Sequence, residues 1–151
     1  MNQYAFIVLN LEKFWKRLCS QNKAGKNNHA FVRRGKVGPK KAQKLFFYVT
    51  YPTKEIQGYA DFVERVTGNS DEMWKKLGHE SLLNTYEEYK DFLRGREQAT
   101  FIRFTNLKEL PKVIPAKTIS DIVGVDKMPQ MGVYISQETA NRLLRAGGVK
   151  T

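Results

Sequence analysis

The spacing of apolar and polar positions changes several times along the chain, and each change marks an element. Ala5 to Leu9 is a short continuous apolar run, the pattern of a central strand covered on both faces. Leu11, Phe14, Trp15 and Leu18 then recur at helical spacing, which predicts a helix of about ten residues with Asn10 as its cap. Lys23 to Asn28 reads as a polar turn broken at Gly25, and His29 to Arg34 as a short strand. Two glycines and a proline make Gly35 to Lys41 a loop. It leads into an aromatic strand, Leu45 to Tyr51, which Pro52 closes.

Glu55 to Val66 alternates apolar and polar residues, so it pairs with the aromatic strand as an antiparallel hairpin. Val63 and Val66 fall out of phase, which predicts a bulge near Phe62. Gly58 and Ala60 leave room above the sheet for another element. Asn69 and Thr85 stand before two helical stripes, one with Met73, Trp74 and Leu77 and one with Tyr86, Tyr89, Phe92 and Leu93. Residues 70–94 therefore form a helical insertion between strands. Ala99 to Thr105 reads as a strand, 107–110 as a turn or short extension, and 111–115 as an irregular edge marked by two prolines. Lys117 to Val123 reads as a short helix, Met131 to Ile135 as a last strand, and Ser136 as the cap of a final helix before a frayed 147–151. The fold class is α+β: a small, curved, mainly antiparallel sheet or open β-barrel with peripheral helices, in one domain of 151 residues.

Charge sharpens the picture. Of 26 lysines and arginines, twelve lie between Lys13 and Lys54, a window with none of the 15 acids, so the rest of the chain is near neutral and the window supplies the net +11. Natural surfaces intersperse both signs. An acid-free basic stretch beside stackable rings suits nucleic acid, because phosphates need cations and bases need flat surfaces. No stretch pairs a cationic face with a long apolar one, and the opening apolar run is too short for a span, so no membrane role is expected. Cys19 alone supports neither a disulfide framework nor a cysteine metal site, which points to a reducing, cytoplasmic setting and a buried cysteine. His29 and His79 have no ligand-spaced partners and read as surface histidines, and Glu87, Glu88 and Asp91 read as a solvated helix face. Neither a metal nor a cofactor is expected.

Lys36-Val37-Gly38, Leu45-Phe46-Phe47-Tyr48 and Ile56-Gln57-Gly58-Tyr59-Ala60 resemble the turn and two strands that mark EVE domains of the PUA-like superfamily. Gly25-Lys26 with Arg33 and Arg34 is similar to the ASCH signature, without its carboxylate. The resemblance covers roughly residues 4–66 and lacks the EVE segment after the first strand, which implies a separate branch, read here as archaeal. It implies a PUA-like barrel that binds RNA, with a pocket near the end of the first strand for an unpaired or modified base.

The phosphate binders expected on this reading are Lys26, Arg33, Arg34, Lys36, Lys40, Lys41 and Lys44, with Lys13, Lys16 and Arg17 extending the track. The expected base pocket comprises Asn10, Tyr48, Thr50, Tyr51 and Trp74, with Phe47 on the face opposite Tyr48. One face of that strand is expected to be core. The alternative the resemblance leaves open is an ASCH-like hydrolase of modified nucleosides or RNA, with Lys26 as its lysine and a carboxylate from Glu55, Asp61 or Glu64.

Overall fold

A computed structural model describes residues 3–150. In chain order its elements are β1 (Ala5–Asn10), α1 (Glu12–Lys23), β2 (Asn28–Arg33), β3 (Lys44–Val49), β4 (Glu55–Asn69), α2 (Ser70–Leu77), α3 (Tyr86–Leu93), β5 (Gln98–Pro115), α4 (Ala116–Val123), β6 (Val133–Ile135) and α5 (Gln137–Ala146). The strands form one open six-stranded sheet in the order β2-β5-β4-β3-β1-β6. Only β1 and β3 run parallel; the other pairs are antiparallel. The sheet is mainly antiparallel, as the alternation implied, and it does not close into a barrel.

Both faces of β3 are core, where one was expected, and β1 is covered on both faces as its apolar run implied. Phe6 and Val8 of β1 with Leu45, Phe47 and Val49 of β3 pack under α1, α2 and α3. Ala5 and Ile7 with Phe46 and Tyr48 pack under α4 and α5. The period of two sends neighbouring residues to opposite faces, so the uninterrupted apolar runs of β1 and β3 satisfy both layers at once. Phe47 and Tyr48 do face opposite sides.

Gly58 shows how closely α1 is seated. A Cβ built there would stand 2.4 Å from the Trp15 ring and 2.8 Å from the Lys108 carbonyl oxygen, so only glycine lets the indole lie on β4. The pairing of β4 with β5 slips between Phe62 and Glu64, where the broken alternation placed a bulge. The insertion caps are present as well. Asn69 accepts from the amides of Asp71 and Glu72, and Thr85 from that of Glu88.

Three expectations change. Asn10 does not cap α1; it is the last residue of β1, and Leu11 stands before the helix with no side-chain cap. Residues 107–115 are no turn and irregular edge but the second half of β5, whose Leu107, Leu110 and Ile114 are buried. Residues 147–149 are held, not frayed: the Lys112 amide donates to the Gly147 carbonyl at 3.0 Å and the Val149 amide to that of Leu144 at 2.9 Å. Thr151 lies outside the described residues.

Gly58→Ala drives its methyl into Trp15 and a strand carbonyl, so it is expected to cost about 1–3 kcal/mol in urea unfolding. An unchanged midpoint would mean the seating of α1 on β4 is looser than described.

Candidate nucleic-acid interface

The sheet brings the end of β1 beside the end of β2, and a cavity of about 140 Å³ opens there between α1 and the insertion. Its walls include Phe14 of α1, Phe31 of β2, Leu82 and Leu83, and Phe92 of α3. One polar side chain in this lining is unsatisfied. Asn10 is 5% exposed, and neither its Nδ2 nor its Oδ1 has a hydrogen-bond partner. Leaving a buried amide unpaired costs about 1–3 kcal/mol.

Arg33 lines the same cavity, and further cations lie over the rings of its wall. The Arg33 guanidinium lies 5.2 Å from the Phe31 centroid and donates to the carbonyls of Val32 and Leu9. Burial pushes it down to about 10, which still leaves it charged at neutral pH. The Arg34 guanidinium sits 4.7 Å from the Phe92 centroid and donates to the Phe92 carbonyl at 2.6 Å. Lys13 and Arg17 lie over Phe14 at 5.0 and 5.5 Å. Each of the three phenylalanines in the wall thus carries a cation over its ring, so the hole is apolar inside and positive at its rim.

Tyr48, Thr50 and Tyr51 line a different cleft, of about 550 Å³, on the face covered by α4. Lys54, Ser120, Asp126 and Lys127 share it. Tyr51 is 79% exposed, with the Lys54 ammonium 5.6 Å from its ring centroid. Burial raises the pKa of the Tyr48 hydroxyl. Trp74 belongs to neither cavity. It packs in the insertion against Tyr89 at 4.7 Å, over Gly78. The five expected pocket residues therefore occupy three places.

A domain of unknown function, DUF365, matches residues 7–127 of this chain. The chain belongs to that family. It is 24% identical over 130 residues to an ASCH domain-containing ribonuclease from Zymomonas mobilis, a match covering 86% of each chain. The crystal structure of ASCH from the same organism matches with a TM-score of 0.76 at 22% identity, over 93% of this chain and 94% of the other. A point-mutant form of it gives 0.78 at 21%, over 95% and 98%. These likenesses show the fold: the DUF365 chain has the ASCH type of PUA-like α+β architecture.

Within this DUF365 domain the seven expected phosphate binders divide. Lys36, Lys40 and Lys41 are exposed on the loop before β3, which Arg65 braces by donating to the Lys36 and Gly38 carbonyls. Lys44 is paired with Asp61 at 2.7 Å. Arg33 and Arg34 are tied at the cavity rim as above. Lys26 is half-buried, with its ammonium on the Gln21 side chain and the Ser81 carbonyl, both at 3.1 Å; burial lowers its pKa while Glu80 opposes the shift.

The carboxylate facing Lys26 is Glu80, which the sequence reading missed. Glu80 is 5% exposed and accepts two bonds of 2.8 Å from Arg103, which holds its carboxyl below the usual range. Arg103 also pairs with Glu64. An isolated glutamate between a helix and a loop gives no sequence signal. The other carboxylates considered lie elsewhere, Asp61 on Lys44 and Asn106, Glu55 on Gln57. Glu88 is no free surface acid either: it accepts from Arg17 and from the Asn84 amide.

His29 is a clear correction. It is fully buried against the Phe104 ring, with Nε2 3.1 Å from the Asn22 Oδ1. Cys19 is buried as expected. Among the described residues no cluster of histidine, cysteine, aspartate and glutamate is placed to hold a metal ion, and no helix is long and apolar enough to cross a membrane.

Burial, aided by the Lys26 charge, pushes the His29 imidazole down to about 4. The unfolded chain takes up this proton first, at about 6.5, so His29 contributes stability above that pH and loses it as pH falls toward 4. Between pH 7 and 4.5 the wild type is expected to lose about 2 kcal/mol more than His29→Gln in urea unfolding. Parallel losses in the two proteins would contradict the assignment.

Proposed function

We propose that this DUF365 domain is an RNA-binding module of the ASCH, PUA-like kind, which holds an unpaired base in the Asn10 cavity and phosphates on the exposed lysines before β3. The observation that carries this reading is the orphaned Asn10 amide. A carboxamide offers one acceptor and a donor side by side, and a base edge supplies the complement. Phenylalanine walls suit a flat ring, and the cationic rim suits the phosphate attached to it. RNA as the polymer is supported by the relative from Zymomonas mobilis, an ASCH domain-containing ribonuclease. A reducing, cytoplasmic setting goes with it, since a single cysteine builds no disulfide framework.

A second reading, RNA cleavage, is favoured by the other cleft and not by Lys26. Lys26 holds carbonyl oxygens and lines none of the cavities described above. The cleft beside α4 instead gathers the hydroxyls of Tyr48, Thr50 and Ser120, the Lys54 ammonium and the Asp126 carboxylate. Attack by a ribose 2′-hydroxyl needs a base, an acid for the departing 5′-oxygen and a cation for the phosphate, and these groups supply that set. Cleavage of single-stranded RNA that Lys54→Met abolishes would establish this reading; cleavage unaffected by that change, or none at all, would remove it.

For the leading proposal the decisive variant is Asn10→Leu. Removing an orphaned amide is expected to raise Tm while lowering affinity for single-stranded RNA at least tenfold; a variant that binds RNA as well as the wild type would overturn the base-pocket assignment. Replacing Lys36, Lys40 and Lys41 together by alanine is expected to flatten the slope of log affinity against log salt by about 2, near 0.7 per lost phosphate contact. An unchanged slope would place the phosphates elsewhere.

A further inference from the structure

We infer that the ligand is a single-stranded segment of at least three nucleotides wrapped around the end of β1, with successive bases splayed into separate cavities; this rests on the RNA-binding reading above. The Asn10 cavity and a second cavity of about 180 Å³ have Leu9 and Arg33 in common. That second cavity and the α4-side cleft have Leu9 and Gln130 in common. Three hollows that share walls form one track, which starts on the face under α1 and α3, turns around Leu9, and ends on the face under α4.

The chemistry along the track fits a strand. The first hollow has apolar walls and the unpaired amide. The second is bounded by Val37, Gly38 and Met131, and Met131 is 67% exposed, a soft apolar surface for a ring to lie on. The third presents the exposed Tyr51 ring, a stacking platform, with Lys54 and Lys127 beside it. Arg33 stands at the first junction, where a phosphate linking two bases would pass. A base pair cannot use such a track, because its neighbours stay stacked while the hollows lie on opposite faces of the sheet. The sheet end acts as a wedge that selects unpaired strand.

Competition against a fluorescein-labelled single-stranded RNA decamer tests this directly, using uridine monophosphate and uridine oligomers of two, three and six residues. Affinity is expected to rise at least tenfold from one residue to three, Lys127→Ala is expected to reduce that gain at least threefold, and a blunt duplex decamer is expected to compete at least tenfold more weakly than its single strand. An adjacent pair of 2-aminopurines placed in the trimer is expected to brighten on binding as the two bases unstack. A monophosphate that competes as well as the trimer, or an Asn10-dependent pocket with no gain in length, would overturn the track and leave the base pocket standing, whereas an equally effective duplex would overturn both. If no oligomer of any length competes, the RNA-binding reading falls and the track with it.

Discussion

Helices cover both faces of the sheet, and that one constraint decides where this molecule can present chemistry. Every side chain in the middle of β1 and β3 is committed to one of two cores, the first built on Phe47, Phe104 and Trp15 and the second on Phe46, Ile56 and Leu143. A polar group placed mid-strand would be buried without a partner on either side. Only at the strand ends do the covering helices part, and there β1 finishes on Asn10, the polar exception to an otherwise apolar strand. The cavities of interest all open around that end. A carboxamide kept unpaired there works against stability, which is intelligible if the group serves a ligand.

The same constraint explains what became of the basic window. Four of its twelve cations are structural ties across the α1 side of the sheet. Arg17 holds the Leu82 carbonyl and Glu88, Lys26 the Ser81 carbonyl, and Arg34 the Phe92 carbonyl, so three elements of the window fasten the insertion. Arg33 reaches the Leu9 carbonyl and closes the end of β1. Arg103 adds a fourth tie to the insertion from β5 through Glu80. Arg33 and Arg34 donate only to carbonyl oxygens, which leaves their charge uncompensated beside the Asn10 cavity, whereas Glu88 offsets Arg17 and Glu80 with Glu64 offsets Arg103. The tethering cations and the exposed lysines before β3 are thus distinct sets within one stretch of sequence. Fixing the insertion and polarising the cavity are one arrangement.

The fold was largely legible because its signals are local. Uninterrupted apolar runs gave β1 and β3, period two gave β4, the misplaced Val63 gave the bulge, and Asn69 and Thr85 announced their helices. Residues 107–115 were misread because prolines and exposed charges mark the outer half of β5 as irregular, whereas its pairing with β4 and three buried aliphatic residues hold it extended. His29 was misread for a related reason: nothing in its neighbours reveals that Phe104, 75 positions later, covers it. The candidate site was legible in its residue types and not in its grouping. Adjacent residues at the end of a two-sided sheet face opposite ways, so Asn10 and Tyr48, one strand apart, open into different hollows. Glu80 had no signal at all, being defined only by Arg103 and Lys26 brought to it through space.

The proposed base pocket stands or falls with the unpaired Asn10 carboxamide. Its side-chain amide protons report this directly in a nitrogen–proton correlation spectrum titrated with single-stranded RNA. The Asn10 Nδ2 pair is expected to move downfield and gain protection from solvent exchange as the RNA saturates, as a donor that acquires an acceptor does. Saturation that shifts only the backbone amides of residues 34–41 and leaves the Asn10 pair in place would contradict it.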